Sequence, residues 1–190
     1  MTMHERLGPV LLDLAKRSIR QGLKGGGQAN IDLSQMPGEL AEPGAVFVTL
    51  KRKGELRGCI GSPLAWRPLG QDVVENAYKA AFEDPRFAPL EEKEWAEIDL
   101  SVSILTPPQR MSFKDEADLL GQLRPDIDGL IIEDSGRRAL FLPSVWEALP
   151  DPKSFLAHLK VKAGLSSNHW SKDFKAQRFE AIEVMDEGES

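Results

Sequence analysis

The sequence predicts an α+β protein with a largely antiparallel sheet flanked by helices. Two observations carry that expectation. Some stretches repeat apolar residues at helical spacing, while others alternate apolar and polar residues as strands do. The alternating stretches come in pairs around short turns, Arg52-Lys53-Gly54 and Asp134-Ser135-Gly136-Arg137, with helical stretches between the pairs. No regular strand–helix–strand order, the mark of a parallel sheet, is present.

Composition narrows the function classes. The 190 residues fit a single domain, 1–190, with room for a smaller lobe. A net charge of -6 and a pI near 5.2 oppose broad binding to a phosphate backbone, so nucleic acid is not an expected partner. One cysteine cannot form an internal disulfide. No apolar run approaches the roughly 20 residues of a membrane span. The first residues, Met1-Thr2-Met3-His4-Glu5-Arg6, lead into a charged amphipathic segment and not a leader peptide. These features predict a soluble cytoplasmic protein.

Taken in order, residues 3–23 place Leu7, Val10, Leu11, Leu14 and Ser18 on one helical face, and Gly22 with Gly25-Gly26-Gly27 ends the helix. The glycine run lacks the preceding strand and the following Lys-Ser/Thr of a phosphate loop, so it reads as a connector through Pro37 and Pro43. Val46, Val48 and Leu50 alternate with Phe47 and Thr49, a strand expected to be buried on both faces. The chain returns over residues 55–60. Pro63 stops that strand, and Pro68 is placed at the start of a helix over 67–83 with Leu69, Val73, Ala77 and Ala80 inward. Its N-terminus is expected near Cys59, where the helix dipole would favour an anion.

A short charged helix follows at 91–96 and a strand at 98–106. Residues 114–123 form another helix, carrying Ala117, Leu120 and Leu123 inward. A hairpin spans 129–142, and a helical turn surrounds Trp146. Asp151-Pro152 then pairs an N-cap with a first-turn proline, and Gly164 closes that helix. Residues 166–170 form a polar loop, Phe179, Ala181, Ile182 and Val184 suggest a last strand, and 185–190 form an acidic tail.

The chemistry centres on Leu56-Arg57-Gly58-Cys59-Ile60-Gly61-Ser62. Period two puts Leu56, Gly58 and Ile60 on an apolar face and Arg57, Cys59 and Gly61 on the other. A guanidinium beside the thiol would favour thiolate, making Cys59 and Arg57 catalytic candidates with His158 or His169 as a base from elsewhere. The alternative is a small buried cysteine. Gly58 and Gly61 leave room for a backbone or a ligand. Asp84-Pro85-Arg86-Phe87 is a stiff loop whose Asp84 and Arg86 either bind a ligand or pair with each other. Lys162, one turn from His158, could line a cleft. His169 and Trp170 could stack a planar ligand, or Trp170 could close the core edge. Three scattered histidines and one cysteine give no metal motif, and no cofactor is assigned.

The Leu-Arg-Gly-Cys-Ile-Gly stretch resembles the signature of the AMMECR domain family, whose bacterial and archaeal members are called AmmeMemoRadiSam system protein A. The likeness extends to residues 44–50, to Asp84-Pro85-Arg86-Phe87, and to Leu-Ser-Val-x-Ile-Leu-Thr-Pro within 98–107. It continues through Phe141-Leu142-Pro143 with Val145-Trp146, Phe155-Leu156, Lys162-Ala163-Gly164-Leu165 and Trp170, in consistent order over residues 7–184. Ser144 departs from the family pattern, where glutamine is expected. The resemblance implies an α+β fold of two unequal lobes, with the signature beside a cleft between them. It also implies a link to a Memo-like protein and a radical SAM protein, and it brings no settled reaction. Two functions stand open: an enzyme or enzyme component of an AmmeMemoRadiSam-type system, or a non-catalytic adaptor or regulatory module for a protein partner.

Overall fold

Helix α1 (Met3–Leu23) opens on a reciprocal cap, in which the Thr2 hydroxyl accepts from the Glu5 N–H and the Glu5 carboxylate accepts from the Thr2 N–H. The computed structural model describes residues 2–28, 30, 32, 34 and 36–186. The acidic tail beyond Asp186, and residues 29, 31, 33 and 35 of the connector, lie outside the described residues. The chain forms two compact units, Met1–Leu105 with Ile182–Ser190, and Thr106–Ala181.

In the first unit, strands β1 (Pro43–Gly44), β2 (Val46–Arg52), β3 (Glu55–Gly61) and β4 (Arg67–Pro68) precede helix α2 (Leu69–Phe82) and strand β5 (Ile98–Leu105). With β10 (Ala181–Met185), four strands form a sheet in the order β10-β5-β2-β3, and β1 pairs with β4. Strand β2 pairs antiparallel with both β3 and β5. Val46, Val48 and Leu50 pack with Leu100, Val102 and Ile104 against the apolar faces of α1 and α2. The opposite face of β2, with Phe47 and Thr49, is only half-buried, so β2 is a one-sided core strand and not one buried on both faces.

Positive φ at Lys53 (53°) and Gly54 (80°) gives the two-residue turn whose twist suits a hairpin. One irregularity follows. Lys51 pairs with Leu56, yet Leu50 pairs with Gly58, so Arg57 is an extra residue in β3. The bulge corrects the simple alternation expected for this strand. Leu56 joins the Thr49 face, where it is 42% exposed, and does not enter the core.

Other boundaries also shift. Gly22 lies inside α1, where a side chain would meet the Phe82 ring, and the helix ends at Leu23 with Lys24 as its C-cap. Pro68 is the N-cap of α2 and not its first helical residue. The α2 N-terminus lies by Glu42, whose carbonyl accepts the Leu69 N–H; its C-terminal end is the one beside the Cys59 strand. The first turn of α2 is tied to the end of β3, where the Ser62 hydroxyl donates to Asp72, and the helix runs back so that Ala80 lies over Gly58.

The second unit holds β6 (Gln109–Arg110), α3 (Glu116–Gln122), β7 (Gly129–Asp134), β8 (Arg137–Phe141), α4 (Pro152–Lys162) and β9 (Lys175–Phe179), its sheet ordered β6-β9-β7-β8. Its core centres on Trp146, stacked on Phe155 with centroids 3.8 Å apart and donating its indole N–H to the Asp128 carbonyl at 2.7 Å. Leu119 joins Leu120 and Leu123 against the core, while Ala117 is exposed. The single last strand expected from sequence is two, β9 and β10, which join different sheets.

Candidate functional site

The Cys59 neighbourhood is built by three segments of the first unit. Strand β3 supplies the thiol, β2 supplies Thr49 opposite it, and the loop after α2 supplies Asp84 and Arg86. Asp84 is buried and accepts the Cys59 N–H at 3.0 Å. The same carboxylate accepts the Arg86 N–H at 3.1 Å, its Nε at 3.0 Å and its Nη2 at 2.8 Å. Arg86 Nη2 also donates to the Cys59 carbonyl at 3.3 Å. Both backbone groups of Cys59 are therefore held by the loop. Hydrogen bonds from Arg86, then from the Cys59 and Arg86 N–H groups, hold the Asp84 carboxyl well below the usual carboxylate range despite its burial. Asp84 stays ionised and acts as an anchor, not as a proton carrier near neutrality.

The thiol itself is half-buried and accepts the Thr49 hydroxyl at 3.3 Å. Ser101 follows Thr49 across the ladder, giving a row of Cys59, Thr49 and Ser101 on one face. Arg86 is the cation tied to the Cys59 backbone. Its hydrogen bonds to Asp84 are the first cause that holds it above its ordinary value.

Arg57 makes its side-chain hydrogen bonds to the loop segment that follows α2. Its Nε and Nη2 grip the Glu94 carboxylate at 2.9 and 3.1 Å, and Nη2 also donates to the Ala88 carbonyl at 2.8 Å. The bulge turns its side chain to the 86–94 segment, and Arg52 and the Glu91 N–H complete the shell of Glu94. This fork holds Glu94 down to about 2. The Arg57 and Arg86 guanidiniums both lie over the Phe87 ring, at 5.8 and 5.5 Å from its centroid. Neither glycine leaves space for a ligand. A Cβ at Gly58 would sit 2.1 Å from the Ala80 carbonyl oxygen, and one at Gly61 would enter the Phe47 ring.

The four remaining candidates belong to the second unit. His158 Nδ1 lies 2.8 Å from the Ser154 carbonyl of its own helix. Lys162 caps the Leu140 carbonyl at 2.8 Å and lies over the Phe141 ring. His169 Nε2 sits 2.7 Å from Asp134 Oδ2, which also accepts the Ser171 hydroxyl at 2.7 Å. Hydrogen bonds from Ser171 and then His169 hold Asp134 below its ordinary value. Trp170 packs with Phe113 and Phe174 at the edge of the core. No group of three His, Cys, Asp or Glu side chains among the described residues could hold a metal ion.

A family model described as AMMECR1 matches residues 12–184. The chain belongs to the AMMECR1 family. This AMMECR1-family chain is 36% identical over 180 residues to a protein of Methanothermobacter thermautotrophicus, covering 92% of this chain and 91% of that one. It is also 36% identical over 188 residues to a Saccharolobus solfataricus protein, covering 95% and 82%. Among solved structures it is similar to the crystal structure of uncharacterized protein PH0010 from Pyrococcus horikoshii. That match has a TM-score of 0.82 at 35% identity, over 94% of this chain and 90% of that one. The family named from its sequence motifs is thus the family found, and the α+β fold with it. No helix among the described residues is long and apolar enough to cross a membrane.

Sequence reasoning missed Thr49, Ser101 and Glu94. A two-residue turn alone would register Cys59 against Val48, so nothing short of the bulge pairs it with Thr49. Glu94 carried one usable signal, its place in a charged helical turn close after the proline loop.

Proposed function

We propose that this AMMECR1-family protein is an enzyme or enzyme component of an AmmeMemoRadiSam-type system, with Cys59 as its reactive group. The observation that supports this reading most is the double backbone clamp on a half-exposed cysteine, through Asp84 and Arg86. Holding one residue at both N–H and C=O fixes the direction of its side chain, which a nucleophile needs and a filler residue does not. In this reading Cys59 reacts, Thr49 donates to the sulfur, and Arg86 supplies positive charge to an anionic substrate group. Asp84 positions Cys59 and Arg86, while Arg57 braces the loop through Glu94. Gly58 and Gly61 shape the strand at the cleft that the family resemblance implies. Within the second unit, His158 is the candidate base, and Lys162, His169 and Trp170 are the candidate ligand-binding residues, with His169 oriented by Asp134. The Memo-like and radical SAM proteins are its partners and the cytoplasm its compartment, both by family resemblance.

A second reading rests on exposed apolar residues just after the motif. Trp66 is 68% exposed over the Arg67 guanidinium at 4.7 Å, and Leu64 is 40% exposed. Such a pair suits an adaptor that docks a protein partner. Alkylation separates the two. Cys59 is the sole cysteine, so iodoacetamide uptake reports it directly. Faster modification in the native protein than in the urea-unfolded chain at neutral pH supports the enzyme. Modification only after unfolding overturns it and leaves the adaptor, whose partner should then be lost with Trp66→Ala.

A further inference from the structure

The sheet of the second unit keeps its apolar side chains, Leu130, Ile132, Ala176 and Phe141 among them, toward its own core. Register sets what the other face shows. Arg110 lies across from Gln177, which lies across from Ile131, and in the next row Lys175 and Arg138 flank Glu133. These six residues line a concavity of about 500 Å³. That is within the usual range for a small-molecule site.

Charge selects the ligand. Arg110, Arg138 and Lys175 bring three cations from three strands, and Glu133 offsets one of them. Among the described residues none of these three cations is held in an ion pair. Residues 106–181 carry as many acidic as basic side chains, so the net charge of -6 resides in the first unit. The concavity is therefore a positive spot on a neutral unit of an acidic protein, the arrangement that concentrates a small anion locally without attracting a long polyanion. Two guanidiniums with an ammonium match the three oxygens of a phosphoryl group, and buried Ile131 beneath them offers an apolar floor.

We infer that this concavity binds a small phosphate monoester whose body is apolar or planar. The site is independent of Cys59 chemistry. Calorimetric titration of the full chain with phenyl phosphate at low ionic strength tests it. Saturable one-to-one binding is expected, with inorganic phosphate weaker. Arg110→Gln and Arg138→Gln should each weaken binding about 10-fold, the equivalent of one charge-assisted hydrogen bond. Glu133→Gln should tighten it, a gain that a variant merely failing to fold cannot give. Lys172→Gln, at an exposed cation outside the concavity, should change nothing. Absence of saturable binding overturns the site, as does equal weakening by Lys172→Gln and Arg138→Gln.

Discussion

Thr49 faces Cys59 across the β2–β3 ladder, one residue out of step with the register that the Lys53-Gly54 turn sets. The extra residue, Arg57, moves the thiol from the core face to the face it shares with Thr49. The Thr49 hydroxyl then donates to the sulfur at 3.3 Å and holds the Cys59 side chain in one orientation. Thr49→Val keeps the shape and removes the donor. Native alkylation of Cys59 should slow several-fold, while stability changes by less than about 1 kcal/mol. An unchanged rate would show that the hydroxyl does nothing for the thiol.

Asp84 is the hub of the loop clamp. Asp84→Asn keeps its volume but removes the charge that three Arg86 donors and the Cys59 N–H share. Urea unfolding should show a loss of about 2–4 kcal/mol, since buried donors are left poorly matched. Arg86→Gln should cost less, because the Arg86 side chain is half-exposed and its charge is screened.

Acid stability should report Glu94. Its folded value is depressed from 4.5 to about 2, so the native state holds fewer protons than the unfolded chain in that interval. The stabilisation is complete above about 4.5 and is lost as pH falls toward 2. Denaturant midpoints measured across that window should fall with pH, and Glu94→Gln should flatten the slope. An equally steep slope in the variant would assign the effect to other carboxylates, Asp84 first.

Gly58 has no spare volume. Any side chain meets the Ala80 carbonyl, so Gly58→Ala must push α2 off the sheet. A destabilisation of about 3 kcal/mol is expected by thermal or urea unfolding, at the upper end for overpacking. A neutral result would mean that β3 and α2 separate at little cost.

Lys160 is fully buried in the second unit, donating to Glu116 at 2.9 Å beneath the Trp170 and Phe174 rings. Removing the ammonium also removes its desolvation cost, so Lys160→Met should leave stability unchanged or raise it by about 1 kcal/mol. Glu116→Gln strands the charge and should lower stability by about 2 kcal/mol. The reverse order would make the lysine a net stabiliser.

Local signals were legible where one residue type dominates the backbone. The Asp151-Pro152 start of α4, the Gly164 stop at φ 86° and the Ser135-Gly136 turn could all be read from sequence. Cys59 with its proline loop was legible as a candidate site through composition and motif. What escaped reading depends on pairing. The bulge at Arg57 and the crossing of the chain between sheets at Glu180 leave no local mark, because each is set by strands distant in sequence. The Arg57 partner escaped for the same reason: Glu94 reaches it only once the proline loop folds back.

The return of β10 to the first sheet fixes an order of events on the ribosome. Strand β5 leaves the tunnel with one edge satisfied by β2, while the strand for its other edge is encoded some 80 residues later. The whole of Thr106–Ala181 is made in the interval, and it carries its own core. A nascent chain of this protein thus passes through a stage with an open β5 edge, able to pair with a neighbouring nascent chain. The speed at which the inserted unit folds and delivers its last strand sets how long that edge stays open.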